Sequence, residues 1–168
     1  SGKTTLLRTV GINLVLAYAG TGTCAKELEC SIMEIFTSMR VADDVNSGIS
    51  TFYAELLRIK MIVDYSQQQK SMIFLIDEIF RGTNSRDRII GAQNVIKNLH
   101  KKWIIGLIST HDLELCDLER EKSWLVNYNF REYYEDNKIK FDYILRSGKS
   151  KTQNAKHLMK LAGIDIEE

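Results

Sequence analysis

From Thr4 to Ala19, apolar residues recur at helical spacing: Leu6, Leu7, Val10, Leu14 and Ala17–Tyr18 make one stripe, and Gly20 and Gly22 end it. The period then changes. Leu28 to Met39 carries β-formers (Ile32, Ile35, Phe36, Thr37) in partial alternation, which predicts one or two strands. Arg40 to Gly48 is polar and reads as a loop. Ser50 or Thr51 then caps a helix running to about Tyr65, with Phe52, Leu56, Ile59 and Val63 as its inward stripe. Met72 to Ile76 is an unbroken apolar run, the pattern of a strand buried on both faces. Arg81 to Arg88 is a polar loop with Gly82, Ile89 to His100 is a helix, and Trp103 to Ile108 is a second buried strand. Leu113 to Leu118 follows as a short helix or turn. Ser123 to Glu132 and Lys138 to Arg146 read as two strands around the hairpin signal Glu135-Asp136-Asn137. The aromatics there (Tyr128, Phe130, Tyr133, Tyr134, Phe141, Tyr143) read as cross-strand sheet stabilisers. Thr152 or Asn154 caps a last helix. Strands alternating with helices predict an α/β sheet with flanking helices.

Composition narrows this modestly. With 168 residues, 44% hydrophobic and 27% charged, the chain reads as one domain, residues 1–168, with a sizeable core. A formal net charge of +1 gives no bulk pull toward nucleic acid. Cys24, Cys30 and Cys116 show neither metal nor redox spacing, so the expectation is reduced thiols in or near the core of a cytoplasmic protein. No apolar run reaches the roughly 18 residues a membrane span needs.

The chemistry lies at two places. The central apolar run ends in Asp77 and Glu78, and a buried strand ending in two carboxylates calls for a cation or several donors to meet them. The chain opens with Ser1-Gly2-Lys3-Thr4-Thr5, the back half of a phosphate-binding P-loop. Together they describe a nucleotide site. Lys3 reaches the β- and γ-phosphates, Thr4 ligates Mg²⁺, Asp77 holds the same Mg²⁺ directly or through water, and Glu78 polarises the attacking water. A P-loop works only with the backbone N–H groups of its first half, so we expect a fragment lacking the first strand and the first half of the loop. His111, just past the second buried strand, sits where open α/β sheets bind ligands. Ser47-Gly48-Ile49-Ser50-Thr51 fits a plain helix cap and also an anion site, and spacing leaves both open.

Taken in order, these pieces resemble the C-terminal ATPase domain of the MutS family, an ABC-type P-loop ATPase. Ala17-Tyr18-Ala19-Gly20 follows the P-loop helix as in the family. Ile35-Phe36-Thr37 with Arg40 and Ala42-Asp43-Asp44 is similar to its I-F-T-R-x-G-A-x-D stretch. Ser47-Gly48-Ile49-Ser50-Thr51-Phe52 with Glu55 resembles its S-G-x-S-T-F-x-x-E signature. Asp77-Glu78-Ile79 with Arg81-Gly82-Thr83 resembles its D-E-x-x-R-G-T run, and Ser109-Thr110-His111 its A-T-H switch. The next residue, Asp112, stands where the family has an aromatic. The likeness spans residues 1 to about 112, and Gly148 to Gly163 resembles the family's terminal helix loosely.

The resemblance implies a homodimer with ATP held between one subunit's P-loop (Ser1, Gly2, Lys3, Thr4, Thr5) and the other's signature. Ser50 would act in trans on the γ-phosphate, and His111 would sense that phosphate. Ser47, Gly48, Asn84 and Ser85 would lie at the dimer seam. It further implies Mg²⁺-dependent ATP hydrolysis coupled to a clamp that recognises mismatched DNA through domains outside this chain. Two other readings compete. A nucleotide-gated dimerisation module outside mismatch repair needs no fast hydrolysis. A transporter subunit would carry L-S-G-G-Q where Ser47 to Phe52 stand.

Overall fold

The structure, a computed structural model, describes residues 2–39, 51–80, 82–135 and 138–150. The expected loop at 40–48, the Ser50 cap and the terminal helix after residue 151 lie outside the described residues. The chain divides into two units, Lys3–Leu115 and a second from Cys116 onward to which Gly2 also belongs.

Three parallel strands form the sheet of the larger unit: β1 (Glu34–Ser38), β2 (Met72–Asp77) and β3 (Ile104–Ser109), in the order β1-β2-β3. The helices α1 (Lys3–Tyr18), α2 (Thr51–Ser66) and α3 (Ser85–Leu99) stand between them in sequence. β2 is central, as its uninterrupted apolar run requires, and Met72 to Ile76 are each at most 6% exposed. Strand alternation divides its side chains between two faces. Ile73 and Leu75 pack with Leu7 and Leu14 of α1, joined by Val10, Ile35 and Leu107. On the other face Phe36, in register with Phe74, lies 4.7 Å ring to ring from Tyr65 of α2.

α1 ends as its glycine predicts. Gly20 takes a left-handed φ of 71°, Gly20 N–H donates to Ala17 O, and Thr21 N–H donates to Leu16 O. One polar residue sits in its buried stripe: Asn13 donates to Thr9 O and accepts from Cys24 N–H at 2.6 Å, so both ends of the amide are used.

Several expectations change. The one or two strands expected over 28–39 are a single strand, Glu34–Ser38, whose pairing with β2 begins at Glu34 opposite Met72. Upstream, Ile32 is 86% exposed. Cys24 and Cys30 are exposed and Cys116 is half-buried, so two thiols expected in or near the core are at the surface. The stripe of α2 runs through Ile59, Ile62 and Ser66, while Leu56 is exposed. α3 begins at Ser85, one turn before the expected Ile89. Asn84 is its cap: its Oδ1 accepts from Asp87 N–H at 2.9 Å, and Asp87 places an acid in the first turn, where the helix dipole favours it. β3 is only partly buried, with Ile105 55% exposed, because it borders the described sheet on one side only.

In the smaller unit, a short helix α4 (Leu113–Cys116), which crosses the unit boundary, passes into a 3-10 turn at Asp117–Arg120. β4 (Tyr128–Asn129) pairs antiparallel with β7 (Arg146–Ser147), and β5 (Glu132–Glu135) pairs antiparallel with β6 (Lys138–Phe141). A hairpin forms with Glu135 opposite Lys138, but its first strand, Glu132–Glu135, meets the expected Ser123–Glu132 only at Glu132, and its second, Lys138–Phe141, is shorter than the expected Lys138–Arg146. The aromatic contact described here, Phe141 with Tyr143 at 6.1 Å, lies along one chain segment rather than across the strands.

Candidate functional site

The sheet sends its chemistry to one edge, the carboxyl ends of the parallel strands. Asp77 closes β2, Ser109 closes β3, and the two are register partners. α1 starts at this same edge. Thr4 Oγ1 donates to Asp77 Oδ2 at 2.8 Å, and Ser109 Oγ donates to Asp77 Oδ1 at 2.5 Å. The half-buried carboxylate thus has a hydroxyl on each oxygen, and these are hard oxygen donors of the kind Mg²⁺ prefers. Among the described residues no cluster of three or more His, Cys, Asp or Glu gathers as a metal cage. Mg²⁺ sites built on one carboxylate and substrate phosphates have no need of one.

Glu78 leaves the strand with a left-handed backbone, φ 60°, and Phe80 repeats it at 58°. Such conformations cost non-glycine residues on the order of 1–3 kcal/mol each and persist where surrounding contacts impose them. Those contacts are visible. Glu78 N–H donates to Ser109 O at 3.1 Å, and Phe80 N–H donates to Glu55 Oε1 of α2 at 2.5 Å, with Ile79 and Phe80 both buried. The backbone twist turns the Glu78 carboxylate to His111, whose Nε2 lies 2.8 Å from Oε1. The Glu78 side chain is 16% exposed and that of His111 66%, so the pair reaches from a sheltered carboxylate to an open imidazole.

A second ion pair stands beside it. Arg88, in the first turns of α3, donates through Nε to Asp112 Oδ2 and through Nη2 to Asp112 Oδ1, each at 2.8 Å. The Arg88 fork holds the Asp112 carboxyl below the usual carboxylate range. The same hydrogen bonds, with the nearby charges of Asp112 and Glu78, raise the Arg88 guanidinium further. Because the folded value of Asp112 is depressed, its contribution to stability is fully present above the ordinary value of 3.8 and fades as pH falls through the folded value. Wild type and Asp112→Asn should therefore differ most in urea midpoint near neutrality, and the gap should close below about pH 4. A gap unchanged down to pH 2 would remove the ion pair from the stability of this edge.

Of the residues singled out from sequence, Thr4, Asp77, Glu78 and His111 come together at this edge. Lys3 opens α1 and Thr5 follows, exposed. Gly2 has the left-handed φ of 81° that glycine permits. Asn84 and Ser85 start α3 and are exposed. Ser1, Ser47, Gly48 and Ser50 lie outside the described residues. Reading the sequence gave no role to Ser109, although a hydroxyl ending an apolar run one residue before Thr-His was a usable signal. Arg88 carried no local signal, since its partner is far along the chain.

Comparison with known proteins supplies the rest. The family model for MutS domain V matches residues 1–167. The chain belongs to the MutS domain V family. Among its relatives, the DNA mismatch repair protein MutS of Aquifex pyrophilus is 33% identical over 99% of this chain and 20% of that protein. Those of Roseiflexus sp. (strain RS-1) and Listeria monocytogenes serotype 4b are 33% and 34% identical over 98% and 96% of this chain. They are covered over 15% and 19% of their own lengths. This domain V chain therefore spans about a fifth or less of the curated relatives it matches. No helix among the described residues is long and apolar enough to cross a membrane.

Proposed function

We propose that this chain is the ATP-binding and ATP-hydrolysing part of a MutS-like DNA mismatch-repair protein, with an ABC-type P-loop fold across residues 1–168. The observation that carries the reading is the 2.8 Å hydrogen bond between Thr4 Oγ1 and Asp77 Oδ2. It joins the start of α1 to the end of the buried central strand, and so brings the P-loop hydroxyl against the carboxylate that a nucleotide-bound Mg²⁺ needs. The parallel sheet with flanking helices, the domain V family match and the mismatch-repair names of the relatives all support it.

In this reading Ser1, Gly2, Lys3, Thr4 and Thr5 cradle the phosphates, with the N-terminus of α1 directed at their charge. Thr4 and Asp77 would hold Mg²⁺, which would supply positive charge against the phosphates. Glu78 accepts a proton from the attacking water, and His111 holds that carboxylate and senses the γ-phosphate. Two copies close on each other, with Ser47, Gly48, Asn84 and Ser85 at the seam and Ser50 reaching the partner's γ-phosphate. DNA is engaged through other parts of the protein, in the cytoplasm.

The test is ATP binding by the full-length protein with and without Mg²⁺, alongside Thr4→Val. Valine keeps the shape and loses the hydroxyl, so Mg²⁺-dependent affinity should fall at least about 10-fold. Affinity indifferent to Mg²⁺ in both proteins would remove Thr4 and Asp77 from a metal role.

A further inference from the structure

We propose that Arg88 and Asp112 are positioning residues that set the geometry of the Glu78–His111 pair, an arrangement that rests on the hydrolytic reading of the site. His111 lies in the short link between β3 and α4, and its side chain is mostly exposed. An exposed imidazole on a link needs its backbone held if its Nε2 is to meet one carboxylate oxygen.

On the strand side, Ser109 O accepts from Glu78 N–H, which ties the end of β3 to the same residue whose carboxylate His111 meets. On the other side the anchor is Asp112. Its N–H donates to Thr110 Oγ1 at 2.9 Å, its carbonyl accepts from Leu115 N–H at 3.2 Å, and its carboxylate is gripped at both oxygens by Arg88. The grip is geometrically specific, because a planar guanidinium meeting a carboxylate in a fork fixes orientation as well as distance. Both side chains are about three-quarters removed from solvent, where such a pair is screened less than on an open surface.

Arg88 is itself set by the segment that follows Glu78. Its N–H donates to Asn84 O, and Asn84 caps α3. The segments bearing Glu78 and His111 are therefore joined through Glu78 N–H and Ser109 O on the strand side and through Arg88 and Asp112 on the other.

The experiment uses the full-length protein and steady-state ATPase kinetics, with nucleotide affinity and melting temperature measured beside them. Arg88→Met and Asp112→Asn should each lower kcat about 10- to 100-fold, the range seen when outer partners of a site are lost. KM for ATP and nucleotide affinity should stay within about twofold, because neither residue is placed on the phosphates. Arg88→Asp combined with Asp112→Arg should recover part of kcat. In a Glu78→Gln background, Arg88→Met should add little, since it acts through Glu78 and His111. Full additivity, or equal losses in kcat and nucleotide affinity, would show a merely structural pair and overturn the proposal. If Arg88→Met does not fold, Arg88→Lys keeps the charge and loses the fork; it should lower kcat about 10-fold, and unchanged kcat there overturns the proposal equally. Hydrolysis by wild type with kcat unchanged in the variants sinks the positioning role alone. No hydrolysis by wild type sinks the hydrolytic reading and this proposal together.

Discussion

Glu78→Gln is expected to leave ATP binding intact and to lower steady-state turnover by roughly 10²-fold or more. The substitution is narrow by design. Glutamine has the size of glutamate, tolerates the left-handed backbone at φ 60° no worse, and still offers an oxygen to His111 Nε2, 2.8 Å from the present carboxylate oxygen. What it removes is the capacity to accept a proton from water. In the proposed reading binding rests on Lys3, Thr4 and Asp77 and should be untouched, so the loss belongs in kcat with little change in affinity. Measuring turnover and equilibrium nucleotide affinity on one preparation separates the two. Turnover within a few-fold of wild type would take the base role from Glu78 and favour a protein in which nucleotide binding alone drives closure.

The second large effect concerns stability. Gly106→Ala should destabilise the larger unit by about 3 kcal/mol, at the upper end of what overpacking costs. Gly106 stands opposite Phe74 in the parallel ladder, and the aromatic ring fills the space above it. A Cβ on Gly106 would lie 1.9 Å from Phe74 Cζ and under 2.5 Å from both Cε atoms. Phe74 belongs to the central strand, is 6% exposed, and has little room to withdraw. Urea unfolding of the single variant should show the loss, and Gly106→Ala with Phe74→Leu should recover part of it. Equal stability of wild type and Gly106→Ala would mean that the ring moves freely, contrary to its burial.

Much of the fold could be read along the chain. Met72 to Ile76 announced a doubly buried strand because every position is apolar, and Thr4 to Ala19 announced a helix because both stripe and stop are local. The hairpin at Glu135-Asp136-Asn137 is local as well. That Thr4, Asp77, Glu78 and His111 would meet at one edge was legible because each stands at or just past the end of a strand or helix. What escaped depends on partners distant in sequence. Phe80 N–H needs Glu55, Asp77 needs Ser109, and Arg88 needs Asp112. No window of neighbouring residues contains both members of any of these pairs. The start of α3 was missed for another reason: Asn84 and Asp87 form a cap, and polar residues in a run look like a loop unless their three-residue spacing is noticed. The surface thiols Cys24 and Cys30 were misplaced because cysteine's usual preference for the interior was applied to a segment that forms no layer of the core.

The parallel ladder also orders events in time. Glu34 must find Met72, and Met72 must find Ile104, each across an intervening helix. On a ribosome, β1 has no partner until the chain has been made well past α2, and β2 stays half paired until β3 emerges. The β5–β6 hairpin needs only its own few residues and can close in about 1–10 μs once they are free. The sheet carrying Asp77 rests on pairings between segments distant in sequence and forms more slowly than the hairpin. The edge bearing Asp77 is thus assembled late, and the apolar run Met72 to Ile76 of the newly made β2 stays unpaired until its neighbours arrive.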